Sequence, residues 1–135
     1  MRLGIVASRF NEEISGKLLA GATAEANKQG VAHEVVSVPG ALEIPSALQW
    51  LAQSGRFDAL VAVGCVIRGD TYHFDIVANE SARGVMDVAL DFGLPVGNAI
   101  LTTEDEAQAN ARLDKGAEAV RAALEMLRLK KKIQG

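Results

Sequence analysis

A chain of 135 residues, 49% hydrophobic and 23% charged, can build one core and is too apolar to remain disordered. Its formal net charge is −3, and the one basic run, Lys130-Lys131-Lys132, closes the last helix where cations suit the macrodipole, so nothing marks a nucleic-acid partner. No apolar run reaches the roughly 18 residues of a membrane span, Met1 to Ile5 reads as strand rather than leader, and a lone cysteine excludes an internal disulfide and any multi-cysteine metal site. The composition describes one cytoplasmic domain over residues 1–135, without membrane contact.

In chain order, the apolar run Leu3–Ala7 predicts a first strand. Asn11 follows as a candidate cap for a helix with Glu12 and Glu13 in its first turn, Ile14, Leu18, Leu19, Ala22 and Ala26 on one face, and Gly30 beyond its end. Glu34–Val38 is the second strand. A helix from about Leu42 to Ser54 tolerates Pro45 in its first turn and ends before Gly55. The β-branched run Ala59–Ile67 predicts a buried third strand, followed after a break by a helix from about Asp75 to Phe92 whose interior Gly84 implies close packing. Val96–Leu101 is the fourth strand. Thr103-Glu-Asp-Glu106 reads as a capping box opening a fourth helix, and a last helix follows Gly116 with Ala117, Val120, Leu124 and Leu127 in register. Strands alternating with helices define an α/β protein with a parallel sheet.

Ligands of open α/β sheets gather beyond the carboxyl ends of the strands, which directs attention to Ser8–Asn11, Val38–Glu43, Ile67–His73 and Thr102–Thr103. In the break Arg68-Gly69-Asp70-Thr71 the glycine permits close backbone approach, amides at the helix entrance and the Thr71 hydroxyl can donate to an anion, and His73 adds a titratable imidazole. Cys65 lies within the apolar strand with no base placed beside it, and it reads as packing.

Three segments, Ser8-Arg-Phe-Asn11, Pro39-Gly-Ala-Leu-Glu-Ile-Pro45 and Gly64-Cys-Val-Ile-Arg-Gly-Asp-Thr-Tyr-His-Phe-Asp75, together resemble the signatures of the 6,7-dimethyl-8-ribityllumazine synthase family, a likeness running from about Leu3 to Leu129. The resemblance implies a single-domain three-layer α-β-α sandwich around a four-stranded parallel flavodoxin-like sheet of order 2-1-3-4, with helices on both faces. It implies condensation of 5-amino-6-(D-ribitylamino)uracil with 3,4-dihydroxy-2-butanone 4-phosphate, the penultimate step of riboflavin biosynthesis, without cofactor or metal. Phe10 would stack on the pyrimidine ring, and Asn11, Ala41, Leu42, Glu43, Cys65, Val66, Ile67 and Asn98 would surround the ring and ribityl chain. Gly69, Asp70, Thr71 and Arg112 would hold the phosphate, with the Asp70 side chain turned away to cap the helix and Arg112 projecting from the fourth helix. His73 would move protons, and its removal would cost about 10²–10⁴ in rate. Lys115 matches a family lysine near the substrate across a shortened connection. Asn98 stands where the family commonly places an aromatic that covers the neighbouring subunit's ring. The family forms pentamers with sites between adjacent subunits, and a homopentamer is expected here. The trimmed start and the shortened connection argue against a larger shell.

Two other readings share these residues. An archaeal-type riboflavin synthase would dismutate two lumazine molecules, but a phosphate site argues against it. A non-catalytic flavin- or lumazine-binding module would keep the fold without turnover, and Asn98 is its best support.

Overall fold

A computed structural model describes residues 1–135. The order is β1 (Arg2–Ser8), α1 (Glu12–Lys28), β2 (Ala32–Val38), a 3-10 turn (Ala41–Glu43), α2 (Ile44–Ser54), β3 (Ala59–Ile67), α3 (His73–Phe92), β4 (Val96–Thr103), α4 (Glu106–Asn110) and α5 (Lys115–Gln134). The four strands are parallel in the order β2-β1-β3-β4, as the resemblance implied. No helix is long and apolar enough to cross a membrane.

Strand alternation divides the core between two layers. Leu3, Ile5 and Ala7 of β1, with Val61, Val63 and Cys65 of β3, face α1 and α5. Val6 of β1, with Leu60, Ala62 and Val66 of β3, faces α2 and α3. Eight of the nine residues of β3 are buried, the signature of a parallel strand covered on both faces.

Two close approaches fix the helix layers. A Cβ at Gly116 would collide with the Leu18 carbonyl, so α5 crosses α1 at backbone contact, and a Cβ at Gly97 would meet the Ala119 carbonyl and lift α5 from β4. On the other face a Cβ at Gly84 would fall 2.6 Å from the Pro45 ring, which is the packing reason for that helical glycine. The α1–α5 seam also holds a buried carboxylate: Gln29 Nε2 donates to Glu25 at 2.7 Å and Arg121 Nη1 at 3.1 Å, and these bonds keep the Glu25 carboxyl below its usual range.

Several local expectations shift. β4 runs on to Thr103, which pairs with Ile67 and is buried, so Thr103 cannot cap α4. Asp105 is the cap instead: its Oδ1 accepts from the Gln108 N–H at 2.8 Å, and Gln108 Oε1 accepts from the Glu104 N–H at 2.8 Å. The reciprocal logic of a capping box survives two residues further on. α3 begins at His73, two residues before expectation, its N-cap residue Tyr72 makes no side-chain cap, and its first N–H bonds to the Thr71 hydroxyl, so Asp70 does not have the capping role assigned to it. α4 stops at Asn110, which puts Arg112 in the turn before α5 rather than on a helix.

Replacing Gly116 by alanine should cost about 2–3 kcal/mol through overpacking against backbone, lowering the thermal midpoint by about 10 °C. Gly16→Ala on the open side of α1, where a Cβ meets nothing within 4 Å, should leave the midpoint unchanged or raise it slightly. Equal midpoints for the two variants would dismiss the close approach as a constraint.

Candidate functional site at the carboxyl edge of the sheet

The connections from β1 and β3 leave in opposite directions, so a crevice is left between their carboxyl ends. The β1–β3 register ends at Ala7 and Val63, whereas β1 stays with β2 as it exits: the Arg9 N–H donates to the Val38 carbonyl at 2.9 Å and the Phe10 N–H to the Pro39 carbonyl at 3.1 Å. A cavity of about 410 Å³ fills the gap, within the usual range for small-molecule sites.

Its wall gathers residues from three separated segments. Phe10 comes from the exit of β1, Ala41, Leu42 and Glu43 from the 3-10 turn, and Cys65, Val66, Ile67, Gly69, Thr71 and His73 from β3 and the loop beyond it. Gly40, Phe74 and Val77 also line it. Phe74 and Val77 follow His73 one and four residues on, so the first turn of α3 turns them toward the same space, and only the helix start at His73 made this legible.

Phe10 is 69% exposed, which excludes a core role and leaves a flat apolar face at the cavity rim. Glu43 Oε1 accepts from the Gly40 N–H at 2.9 Å, pinning the Pro39-Gly40 bend and holding the carboxylate at the mouth. The Thr71 hydroxyl accepts from the His73 N–H at 3.4 Å at the entrance of α3, and both residues line the cavity. Cys65 is buried, and its thiol is pushed up to about 11, chiefly by burial and secondarily by the charge of Glu106. It is not a thiolate at neutral pH and supplies wall rather than nucleophile.

Asn11 takes a different part from helix capping. Its backbone is left-handed, φ 57° and ψ 51°, a conformation asparagine tolerates, and its side chain makes no capping bond. Nδ2 instead donates to the Cys65 carbonyl at 3.0 Å, bridging the tips of β1 and β3 where their ladder has stopped. It builds the site without standing on the cavity wall.

Four further candidates also stand away from this wall. Asp70 is exposed in the loop and does not line the cavity. Asn98 lies exposed on the edge strand β4, with Oδ1 accepting from the Ile100 N–H at 2.8 Å. Arg112 Nη1 donates to the Gln108 carbonyl at 2.8 Å, and Lys115 Nζ pairs with Glu118 at 2.9 Å, both in the region where α4 gives way to α5. No three His, Cys, Asp or Glu side chains come together as a metal-binding group.

A flavodoxin-like α/β domain with a ligand cavity at its β1/β3 switch point is thus the class that fold and site define. A family model described as 6,7-dimethyl-8-ribityllumazine synthase matches residues 1–131. The chain is 56% identical over 133 residues to the 6,7-dimethyl-8-ribityllumazine synthase of Burkholderia multivorans, covering 96% of this chain and 77% of that protein. It is 51% identical over 138 residues to the enzyme of the same name from Azoarcus sp., covering 99% of this chain and 88% of that protein. The chain belongs to the 6,7-dimethyl-8-ribityllumazine synthase family, and it is an enzyme of the transferase class.

The bridge at Asn11 can be separated from its backbone strain. Asn11→Gly keeps the left-handed conformation and loses the bond to Cys65, so it should cost about 1 kcal/mol, while Asn11→Ala loses both and should cost about 2–3 kcal/mol. Denaturant titration reads both values, and an alanine variant no less stable than the glycine one would remove the strain from the account.

Proposed function

We propose that the cavity between β1 and β3 condenses 5-amino-6-(D-ribitylamino)uracil with 3,4-dihydroxy-2-butanone 4-phosphate, giving 6,7-dimethyl-8-ribityllumazine, phosphate and water. The observation that carries this reading is the convergence of an exposed aromatic face, a glycine-hydroxyl turn and an imidazole on one 410 Å³ cavity in a chain of this family.

The pyrimidine stacks on Phe10, and its polar edge meets the backbone groups of Ala41–Leu42 and Cys65–Ile67. Glu43 is held by Gly40 through one oxygen, which leaves the other to accept from ribityl hydroxyls. Phosphate lies against Gly69, Thr71 and the entrance of α3, where amide donors and the helix dipole favour an anion. The 5-amino group then attacks the ketone and one water leaves as the imine forms, phosphate is eliminated, and the ribitylamino nitrogen adds to the remaining carbonyl and expels a second water as the ring closes. Each stage moves a proton near neutral pH, the task assigned to His73. Much of the acceleration comes from holding both substrates in one reactive geometry.

Arg112, Asn98 and Lys115 stand off this wall on exposed surface, an arrangement that supports a homopentamer in which each subunit completes its neighbour's site. In that assembly Arg112 is turned from its own Gln108 toward the neighbour's phosphate, where a guanidinium can make two parallel charge-assisted bonds. Asn98 meets the ring's far face with a polar amide, so stacking comes from Phe10 alone. A cytoplasmic setting suits a phosphorylated substrate and a free buried cysteine.

Incubating the purified protein with both substrates should produce lumazine absorbance and fluorescence together with phosphate release. Ligand binding without turnover would instead support a non-catalytic module, and riboflavin formed from lumazine would support the dismutating enzyme. The shared site has its own test. Arg112→Ala should raise the Michaelis constant for the butanone phosphate far more than that for the pyrimidine, and His73→Ala should abolish most turnover. Assembled together from equal amounts, the two deficient chains should regain about a quarter of wild-type activity, because one site in four then draws both intact residues from different subunits. No recovery in verified mixed oligomers would place both residues in one subunit's site.

A further inference from the structure

The loop from Gly69 to Tyr72 delivers Gly69 and Thr71 to the cavity, is exposed throughout, and has few ties of its own. Arg68, which starts it, is anchored by its N–H to the Thr103 carbonyl at 2.9 Å and does not reach the cavity wall. Its side chain closes the loop from outside. The guanidinium carbon lies 4.6 Å above the Phe74 ring, Nε is 2.8 Å from Glu104 Oε2, and Nη1 is 3.7 Å from Asp75 Oδ1. One planar group thereby joins the start of the loop to the first turn of α3 and to the β4–α4 connection.

We propose that Arg68 is a positioning residue for the Gly69–Thr71 turn and His73, with Glu104 as its outer anchor. The inference rests on the reading of that turn as the seat of the substrate phosphate. A lone exposed ion pair contributes little. Here stacking and two carboxylates act on the same guanidinium, which only a planar fork can satisfy together; an ammonium cannot. Exposed loops with few backbone bonds open at low free-energy cost, and a displacement of about 1 Å is enough to impair a reactive geometry. The competing role is direct: with 43% of its side chain exposed, Arg68 could leave Glu104 and bind phosphate itself. The two roles oppose each other at Glu104. A brace weakens when its anchor is neutralised, whereas a direct ligand is released.

The test uses the full chain in its native assembly, measuring kcat and both Michaelis constants for Arg68→Ala, Arg68→Lys, Glu104→Gln and the Arg68→Ala/Glu104→Gln pair. Positioning requires a rise of about five- to tenfold in the Michaelis constant for the butanone phosphate in each single variant, with that for the pyrimidine within about twofold of wild type. Arg68→Lys should not rescue, and the pair should be no worse than Arg68→Ala alone. An unchanged or tighter constant in Glu104→Gln, additive losses in the pair, or equal rises for both substrates would overturn the proposal. If Arg68→Ala fails to fold, Glu104→Gln decides by the same criterion, since its side chain is 60% exposed. A wild-type protein that makes no lumazine defeats the reading of the site and this inference with it; active wild type with unaffected variants defeats the inference alone.

Discussion

Past Ala7 and Val63 the strands β1 and β3 share no backbone ladder, and a single side-chain amide, Asn11 Nδ2 on the Cys65 carbonyl, spans the gap they leave. A parallel sheet whose chain leaves β1 toward one edge and β3 toward the other must open at this point, because no crossover covers it. The opening exposes strand-end backbone that would otherwise lie buried and unpaired. Asn11 satisfies one such carbonyl, and its left-handed backbone turns Phe10 outward to the rim while starting α1 immediately behind it. The cavity, its aromatic face and the direction of the first helix follow from that one junction.

The rest of the molecule keeps the junction rigid. Two buried layers press on the sheet, and their closest approaches occur at Gly116, Gly97 and Gly84, where the absence of a side chain lets helix meet helix or strand directly. Precision at the strand tips needs this density, since reacting groups on loops hold their geometry only as well as the elements beneath them. One buried polar atom is left without a partner, the Ser8 hydroxyl, lodged where a Cβ on Gly64 would stand 2.7 Å from it.

Charge is distributed according to task. The carboxylate of Glu25 and the guanidinium of Arg121 tie α1 to α5 far from the cavity, whereas Arg68, Asp75 and Glu104 surround the loop that enters it. The cavity wall itself has one carboxylate, one imidazole and one thiol held in its neutral form by burial. Most of the remaining wall is apolar, which suits a flat heterocycle.

Much of this was legible from residue order. The four strands and the order of the helices could be read from apolar runs, glycines and proline, because the hydrophobic period and the backbone freedom of individual residues are local properties. The resemblance of three short segments added the sheet order and the family, and it named most of the residues that line the cavity, together with Asn11, Asp70, Asn98, Arg112 and Lys115, which do not. What it left open involves partners remote in sequence. Thr103 reads as a helix cap until Ile67 claims it for the sheet, Asn11 reads as a cap until Cys65 presents a carbonyl, and Phe74 and Val77 join the wall once α3 is seen to start at His73. Sequence thus determined which chemical groups the chain carries and the elements on which they ride. Tertiary structure decided which groups share a space, because competition between a local cap and a distant backbone partner is resolved only when the distant strand is in place.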